Sequence, residues 1–204
     1  MLFRPKYHHG DLHRALVDAG LELLESRDAS ELSLRAVARK AKVSAAAPYH
    51  HFANKAELLD AIAAEGFALL ESQIRAAMQD ADEGCGGELA AGGAAYVQFA
   101  LAHPSHFRVM FRKGEEEHAP VVDAASSPVF ALLVEGVERW LRGHERAEED
   151  ARPLILLCWA AIHGIAMLLL DGPSSRWEKL GLDLDKQAIA VLVTRTLAER
   201  LTAS

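Results

Sequence analysis

A chain of 204 residues with a formal net charge of −7 and half of its residues hydrophobic has material for one ordinary domain or for a small domain fused to a larger one. Alanine (37) and leucine (29) far outnumber valine (12) and isoleucine (6), which favours helix over sheet, and 14 Gly, 7 Pro and 25% charged residues exclude a collagen-like or wholly disordered chain. The two cysteines, Cys85 and Cys158, lie far apart with no CxxC pair, which argues against a disulfide framework and a cysteine-based zinc site and points to a reducing cytoplasm.

The opening residues MLFRPKYHHGD include basic side chains but no apolar stretch, so they do not read as a secretory signal. After Asp11, Leu12, Ala15, Leu16, Ala19 and Leu23 recur at spacings of three and four, which predicts a helix ending near Arg27. Ser33 is placed to cap a second, short helix with Leu34, Val37, Ala38 and Ala41 inward and Arg35, Arg39 and Lys40 outward. Ser44 then caps a third over AAAPYHHF, and two short helices joined so tightly are the sequence form of a helix-turn-helix. Asn54 and Glu57 resemble a capping box and open a long helix that runs to about Gln79. The segment DADEGCGG breaks the pattern. Beyond it the sequence predicts a helix from about Glu88 to Ala102, a short one from Pro104 to Phe111, and a charged loop, RKGEEEHAP. Val129, Leu132, Leu133, Gly136 and Trp140 form the stripe of a further helix ended by Gly143. The run from Leu154 to Leu170 is 17 residues long, carries His163 and Gly164 at its centre and stops at Asp171-Gly172-Pro173. It reads as a buried helix rather than a membrane span. A last helix carries Ile189, Leu192, Val193, Thr196 and Leu197. The fold class expected is therefore all-α.

Charge divides the chain unevenly: residues 1–56 hold nine Lys/Arg against six Asp/Glu and five of the ten histidines (His8, His9, His13, His50, His51), whereas residues 57–204 hold 13 against 23. A basic, histidine-rich head on an acidic body suits a polyanionic partner. Residues 32–59, LSLRAVARKAKVSAAAPYHHFANKAELL, resemble the DNA-binding segment of the TetR family of bacterial transcriptional regulators. The opening KYHHGDL is similar to one branch of that family, and Trp159, His163, Gly164 and the following LLLDG resemble its WHG-type carboxy-terminal domain. The resemblance implies a helix-turn-helix three-helix DNA-binding domain at 1–56, and a larger helical effector-binding and dimerisation domain at 57–204. It implies a homodimeric, ligand-responsive repressor of a palindromic double-stranded DNA operator. Within the head, Ser44, Ala45, Ala46 and Ala47 leave the recognition segment slim enough to approach base edges. Sequence readout then rests on few contacts, Ser44 and His50 among them, together with DNA shape. Tyr49, His51 and Lys55 match positions that hold phosphates in the family, Arg35 joins the DNA-binding set, and Phe52 is expected in the core. Two residues depart from the family pattern: Lys42 stands in the turn where Gly is usual, and Pro48 falls at about the fourth position of the recognition helix.

In the larger region Tyr96, Phe99, His103, Phe107, Met110 and Phe111 gather aromatic and sulfur side chains, and Trp159, His163 and Met167 repeat every four residues along the most apolar helix. These nine residues form the expected lining of a cavity for a small-molecule effector, and a plain hydrophobic core is the competing reading. His163 must bond either a protein group or a ligand. The last two long helices, with Ala160, Ala161 and Gly164, resemble the family's dimer-forming four-helix bundle, and the resemblance implies a dimer surface there. Two other classes stand beside this reading: a DNA-binding helical dimer that takes no effector, and a small-molecule-binding helical protein or enzyme. A metal site at His8, His9 and His13 is opposed by Gly10-Asp11, which signals a helix start between them. No nucleophile elbow or phosphate-cradling loop is present, so no catalytic residue, cofactor or metal is expected.

Overall fold

The structure is a computed structural model that describes residues 9–26, 28–81, 85–112, 119–172, 179, 181 and 185–202, and every regular element among these is helical. In chain order the α-helices are α1 (His9–Leu24), α2 (Leu34–Lys40), α3 (Lys55–Gln79), α4 (Cys85–Ala102), α5 (Pro104–Met110), α6 (Pro120–Gly143), α7 (Ala151–Asp171) and α8 (Lys186–Thr202), with short 3-10 turns at Ala29–Glu31 and Ala47–His50. The all-α fold is as the composition implied.

Caps set most of the boundaries. Ser33 Oγ accepts from the Ala36 N–H at 3.2 Å to start α2. Asn54 Oδ1 accepts from the Glu57 N–H at 3.1 Å while the Glu57 carboxylate accepts from the Ala53 N–H at 2.7 Å, a reciprocal arrangement close to a capping box that opens α3. Asp150 and Asp185 start α7 and α8 in the same way, accepting from the Arg152 and Ala188 N–H groups at 3.1 and 2.7 Å. Elsewhere the boundaries differ from expectation. Helix α1 begins at His9, ahead of Asp11, and ends at Leu24. Helix α4 begins at Cys85, and α6 begins at Pro120 and carries Pro128 inside it. Upstream of it the Ser126 and Ser127 hydroxyls donate to the Asp123 carbonyl at 3.1 and 2.7 Å.

The chain divides into two compact units, and the division falls within α3. The first comprises Met1–Gly66 with Ser105–Val122, the second Phe67–Pro104 with Asp123–Ser204. In the first, Leu16, Val37, Phe52, Leu58, Ile62, Phe107 and Met110 are buried together with an ion pair between Asp60 and Arg112. Gly66 makes room for Met110 there: a Cβ at this position would lie 2.5 Å from Met110 Sδ, so that side chain would have to shift. In the second unit α4 packs on α8 and α7. Gly93 permits that approach, since a Cβ would stand 3.1 Å from Ile162 and 3.2 Å from Thr194. A further core gathers Val137, Trp140, Leu141 and Cys158.

Helices α6 and α7 are long and apolar enough to cross a membrane by length and composition. Helix α7, expected to be buried, is buried on one face only. Cys158, Ile165, Ala166 and Leu169 point into the unit, while Leu156, Leu157, Met167 and Leu168 are exposed, Leu156 to 61%.

Candidate functional site

The helix-turn-helix is built from α2 outward. After Lys40 the chain closes with the Lys42 N–H bonded to the Arg39 carbonyl (3.2 Å) and the Val43 N–H to the Ala38 carbonyl (3.0 Å). This pair of bonds is the Schellman arrangement, which needs a left-handed residue at the position Lys42 occupies. Lys42 adopts it, with φ 58°, at a strain of roughly 1 to 2 kcal/mol relative to glycine. The turn therefore keeps the geometry that glycine normally provides.

The recognition segment departs from expectation more strongly. A regular α-helix beginning at Ser44 would require residue 48 to donate to the Ser44 carbonyl, and Pro48 has no N–H. The Ser44 carbonyl instead accepts from the Ala47 N–H at 3.0 Å, the Ala46 carbonyl from Tyr49 at 3.2 Å and the Pro48 carbonyl from His51 at 2.9 Å. These are i to i+3 bonds, and the segment Ala47–His50 is a 3-10 turn. Pro48 is buried in it, whereas Ser44, Ala45, Ala46, Tyr49 and His50 are exposed and Ala47 and His51 are half-buried. Phe52, 3% exposed, anchors the end of the turn with the His13 ring 4.9 Å away, and His13 also stands 6.0 Å from His51. Pro48 and Phe52 thus hold the segment from beneath while its small and polar side chains face outward. Arg35 and Arg39 are exposed on α2.

Lys55 has a structural role that its sequence position did not disclose. Its ammonium donates to the carbonyls of Ala29 and Ser30 at 3.2 and 3.0 Å, tying the start of α3 to the α1–α2 connection and leaving one of three N–H groups for another acceptor. In the same connection the Ser30 N–H holds the Asp28 carboxyl below its ordinary value, with the charge of Lys55 adding to the effect.

The nine residues expected to line an effector cavity fall in different places. Phe107, Met110 and Phe111 belong to the first unit, with the Phe107 and Phe111 rings 4.9 Å apart. Tyr96, Phe99, His103, Trp159, His163 and Met167 belong to the second. There Tyr96 Oη and His163 Nδ1 are 2.9 Å apart. Burial raises the Tyr96 phenol far above its ordinary value and lowers His163, so the bond joins a protonated phenol and a neutral imidazole, and the imidazole tautomer sets which of the two donates. The Phe99 and His103 rings are 4.9 Å apart. Trp159 and Met167 do not join His163 on one inward stripe. Residues four apart on an α-helix precess by about 40° per step, and both side chains are exposed. Trp159 meets Phe130 edge to face, with ring centroids 6.1 Å apart, beside an open groove of about 870 Å³ between α6 and α7. This groove had no signal in the sequence, because its walls come from helices that are each legible only singly.

The Cys158 thiol is pushed up to about 11 by burial, which keeps it protonated and unreactive. Among the described residues no three His, Cys, Asp or Glu side chains are grouped to hold a metal ion. Of the three histidines weighed for a metal, His13 is described as packing on Phe52 and His51, while His8 and the side chain of His9 lie outside the described residues.

Residues 16–62 match the family model for bacterial regulatory proteins of the tetR family, and residues 89–195 match that for the tetracyclin repressor-like, C-terminal domain. The chain belongs to the TetR family. Among solved structures it is similar to a protein of unknown function from Rhodococcus sp. RHA1, at 31% identity and TM-score 0.78 over 97% of this chain and 98% of that one. The TetR fold is shared with the fatty acid degradation regulator FadR from Bacillus halodurans, at 17% identity and TM-score 0.69 over 97% of both chains. It is shared also with the transcriptional regulator FadR from Bacillus subtilis in complex with stearoyl-CoA, at 14% identity and TM-score 0.71 over 91% of this chain and 97% of that one. No curated protein matches the chain. This TetR-family member is thus a DNA-binding transcriptional regulator by its domains and fold.

Proposed function

We propose that this TetR-family protein is a cytoplasmic, ligand-responsive repressor that binds a palindromic operator as a homodimer. The head is residues 1–56, and residues 57–204 form the effector-binding and dimerisation part. The observation that carries the DNA reading is the recognition turn: Ser44, Ala45, Ala46, Tyr49 and His50 face outward from a segment pinned by buried Pro48 and Phe52. Ser44 to Ala47 and His50 meet base edges, while Arg35, Tyr49, His51 and the remaining N–H of Lys55 meet phosphates. Dimerisation is supported by the exposed apolar faces of α7 and α8, where Leu157, Met167, Leu168, Val191 and Leu192 stand in solvent beside Ala160. A two-fold dimer presents two recognition turns to two symmetry-related half-sites. An effector that favours a different spacing of those turns must bind the DNA-bound form more weakly.

A regulator of the same fold is solved in complex with stearoyl-CoA, which supports effector binding in the larger part. The Tyr96–His163 bond favours a second reading, in which that part serves assembly alone, because the imidazole is already partnered within the chain. Electrophoretic retardation of the DNA flanking the protein's own gene, with and without stearoyl-CoA as the probe effector, tests both. Retarded DNA released by the acyl-CoA supports the ligand-responsive reading. Retardation unmoved by it, and by a panel of other amphipathic metabolites, supports the assembly reading. Failure to retard any DNA at about 50 mM salt, where phosphate contacts are strongest, overturns both.

A further inference from the structure

The turn between α2 and the recognition segment carries a side chain that the turn itself does not need. Lys42 holds φ 58°, and the two bonds that close the turn run from the backbone N–H groups of Lys42 and Val43. Glycine would make both bonds without the left-handed strain. Strain by itself assigns no role, because Glu145 in the second unit has the same φ; the surroundings of Lys42 do. We propose that Lys42 is a further DNA-contacting residue, whose ammonium binds a backbone phosphate of the half-site beside the recognition segment. The inference rests on the DNA-binding reading above and adds a contact that the glycine usual at this position cannot make.

Position, charge and freedom of the side chain point the same way. From Val43 to Asn54 the sequence has no Lys or Arg, so the outward face formed by Ser44, Ala45, Ala46, Tyr49 and His50 has no permanent cation of its own. The phosphates flanking a groove that this face enters are met by cations at its borders. At the far border Lys55 has two of its three N–H groups committed to the carbonyls of Ala29 and Ser30. At the near border Lys40 is paired with Glu22 at 2.5 Å. Lys42, by contrast, is exposed, and among the described residues neither a hydrogen bond nor an ion pair engages its ammonium. All three of its N–H groups are therefore available to a ligand. Its flexible four-carbon stem brings a point charge to a phosphate without fixing the approach, which suits backbone contact rather than the bidentate reading of a base edge.

Fluorescence-anisotropy titrations of the full chain over about 50 to 200 mM salt test this with two duplexes as probes, the DNA flanking the protein's own gene and an unrelated sequence of equal length. Lys42→Gln keeps a polar stem and the left-handed strain but removes the charge, Lys42→Gly removes both charge and strain, and Lys42→Arg keeps the charge; each is checked for native helix content. The expected result is that Lys42→Gln and Lys42→Gly weaken binding to both duplexes alike, by roughly 8-fold per engaged protomer at about 0.1 M salt, and lower the slope of log K against log salt by about 0.9 per engaged protomer. Lys42→Arg should keep the wild-type slope. Thermal melting supplies a readout in which strain and contact oppose each other, because Lys42→Gly should melt no lower than the wild type although it binds DNA less well. A wild type that binds neither duplex overturns the DNA-binding reading and this inference together. A wild type that binds DNA with a salt slope unchanged in Lys42→Gln and Lys42→Gly keeps that reading and overturns the inference. Should those variants also lose discrimination between the two duplexes at an unchanged slope, the side chain sits at a base edge and the phosphate assignment is overturned.

Discussion

The ion pair between Asp60 on α3 and Arg112 just beyond α5 offers the most quantitative test of the first unit. The two side chains are 10% and 11% exposed, and Arg112 Nη1 also donates to the Val109 carbonyl at 3.3 Å. Both groups have left water, so their attraction is offset by the cost of desolvating them, and the net worth of the intact pair is small. Removing one partner has a different effect. Arg112→Ala leaves a buried carboxylate without its guanidinium and should cost about 3 to 5 kcal/mol, a large share of the roughly 5 to 15 kcal/mol by which a domain is stable. For a chain of this size that corresponds to a fall in Tm of about 6 to 20 °C. The double variant Asp60→Leu/Arg112→Met, which replaces the pair by apolar groups, should recover most of the loss and stand within about 1 to 2 kcal/mol of the wild type. Urea unfolding of the wild type, Asp60→Leu, Arg112→Met and the double variant, followed by far-UV circular dichroism at one fixed protomer concentration, gives the four corners of the cycle beside Arg112→Ala, with the midpoint and slope read separately. A loss under about 1 kcal/mol in Arg112→Ala, or a double variant as unstable as the sum of the singles, would refute the reasoning.

What could be read from the sequence was the part encoded locally. The apolar stripes at spacings of three and four, the Ser33 cap and the Asn54 and Glu57 pair belong to neighbouring residues, and they placed α2 and the start of α3 where the structure has them. Lys42 and Pro48 were visible as departures, but their consequences follow from opposing energies. The Schellman bonds of Lys42 and Val43 outweigh the left-handed strain, so the turn survives. With no N–H on Pro48, the Ser44 carbonyl accepts from Ala47 instead, and the segment Ala47–His50 is a 3-10 turn. At the amino end, helical bonding carries α1 back to His9 past the capping residue Asp11. The pairings of Asp60 with Arg112, 52 residues apart, of Tyr96 with His163, 67 apart, and of Lys55 with Ala29 and Ser30 have no local signal at all. Clustering along the sequence brought Phe107, Met110 and Phe111 beside Tyr96 and Phe99, whereas the fold assigns the two sets to different units.

Two further outcomes follow from burial. Phe52→Ala removes a side chain only 3% exposed and should destabilise the head by about 3 to 5 kcal/mol, seen as a lowered melting temperature, while an unaltered melting temperature with lost DNA binding would show that Phe52 faces DNA. The other concerns the pH dependence contributed by His163. Burial disfavours the imidazolium and lowers His163 from its ordinary value of 6.5. Above pH 6.5 the imidazole is neutral in both folded and unfolded chains, and its contribution to stability is complete. As the pH falls through 6.5 the unfolded chain takes up a proton that the native site resists, so the unfolded state binds more protons and stability declines. The decline continues until the pH passes below the lowered native value, where both states carry the proton. His163→Phe keeps an aromatic ring at this position but removes the titration, so its stability should fall less steeply than that of the wild type from pH 7 to pH 5, and the gap between the two proteins should narrow as acid is added. Parallel curves for the two proteins across that range would mean that His163 protonates equally well in both states, and hence that its burial does not hold it neutral.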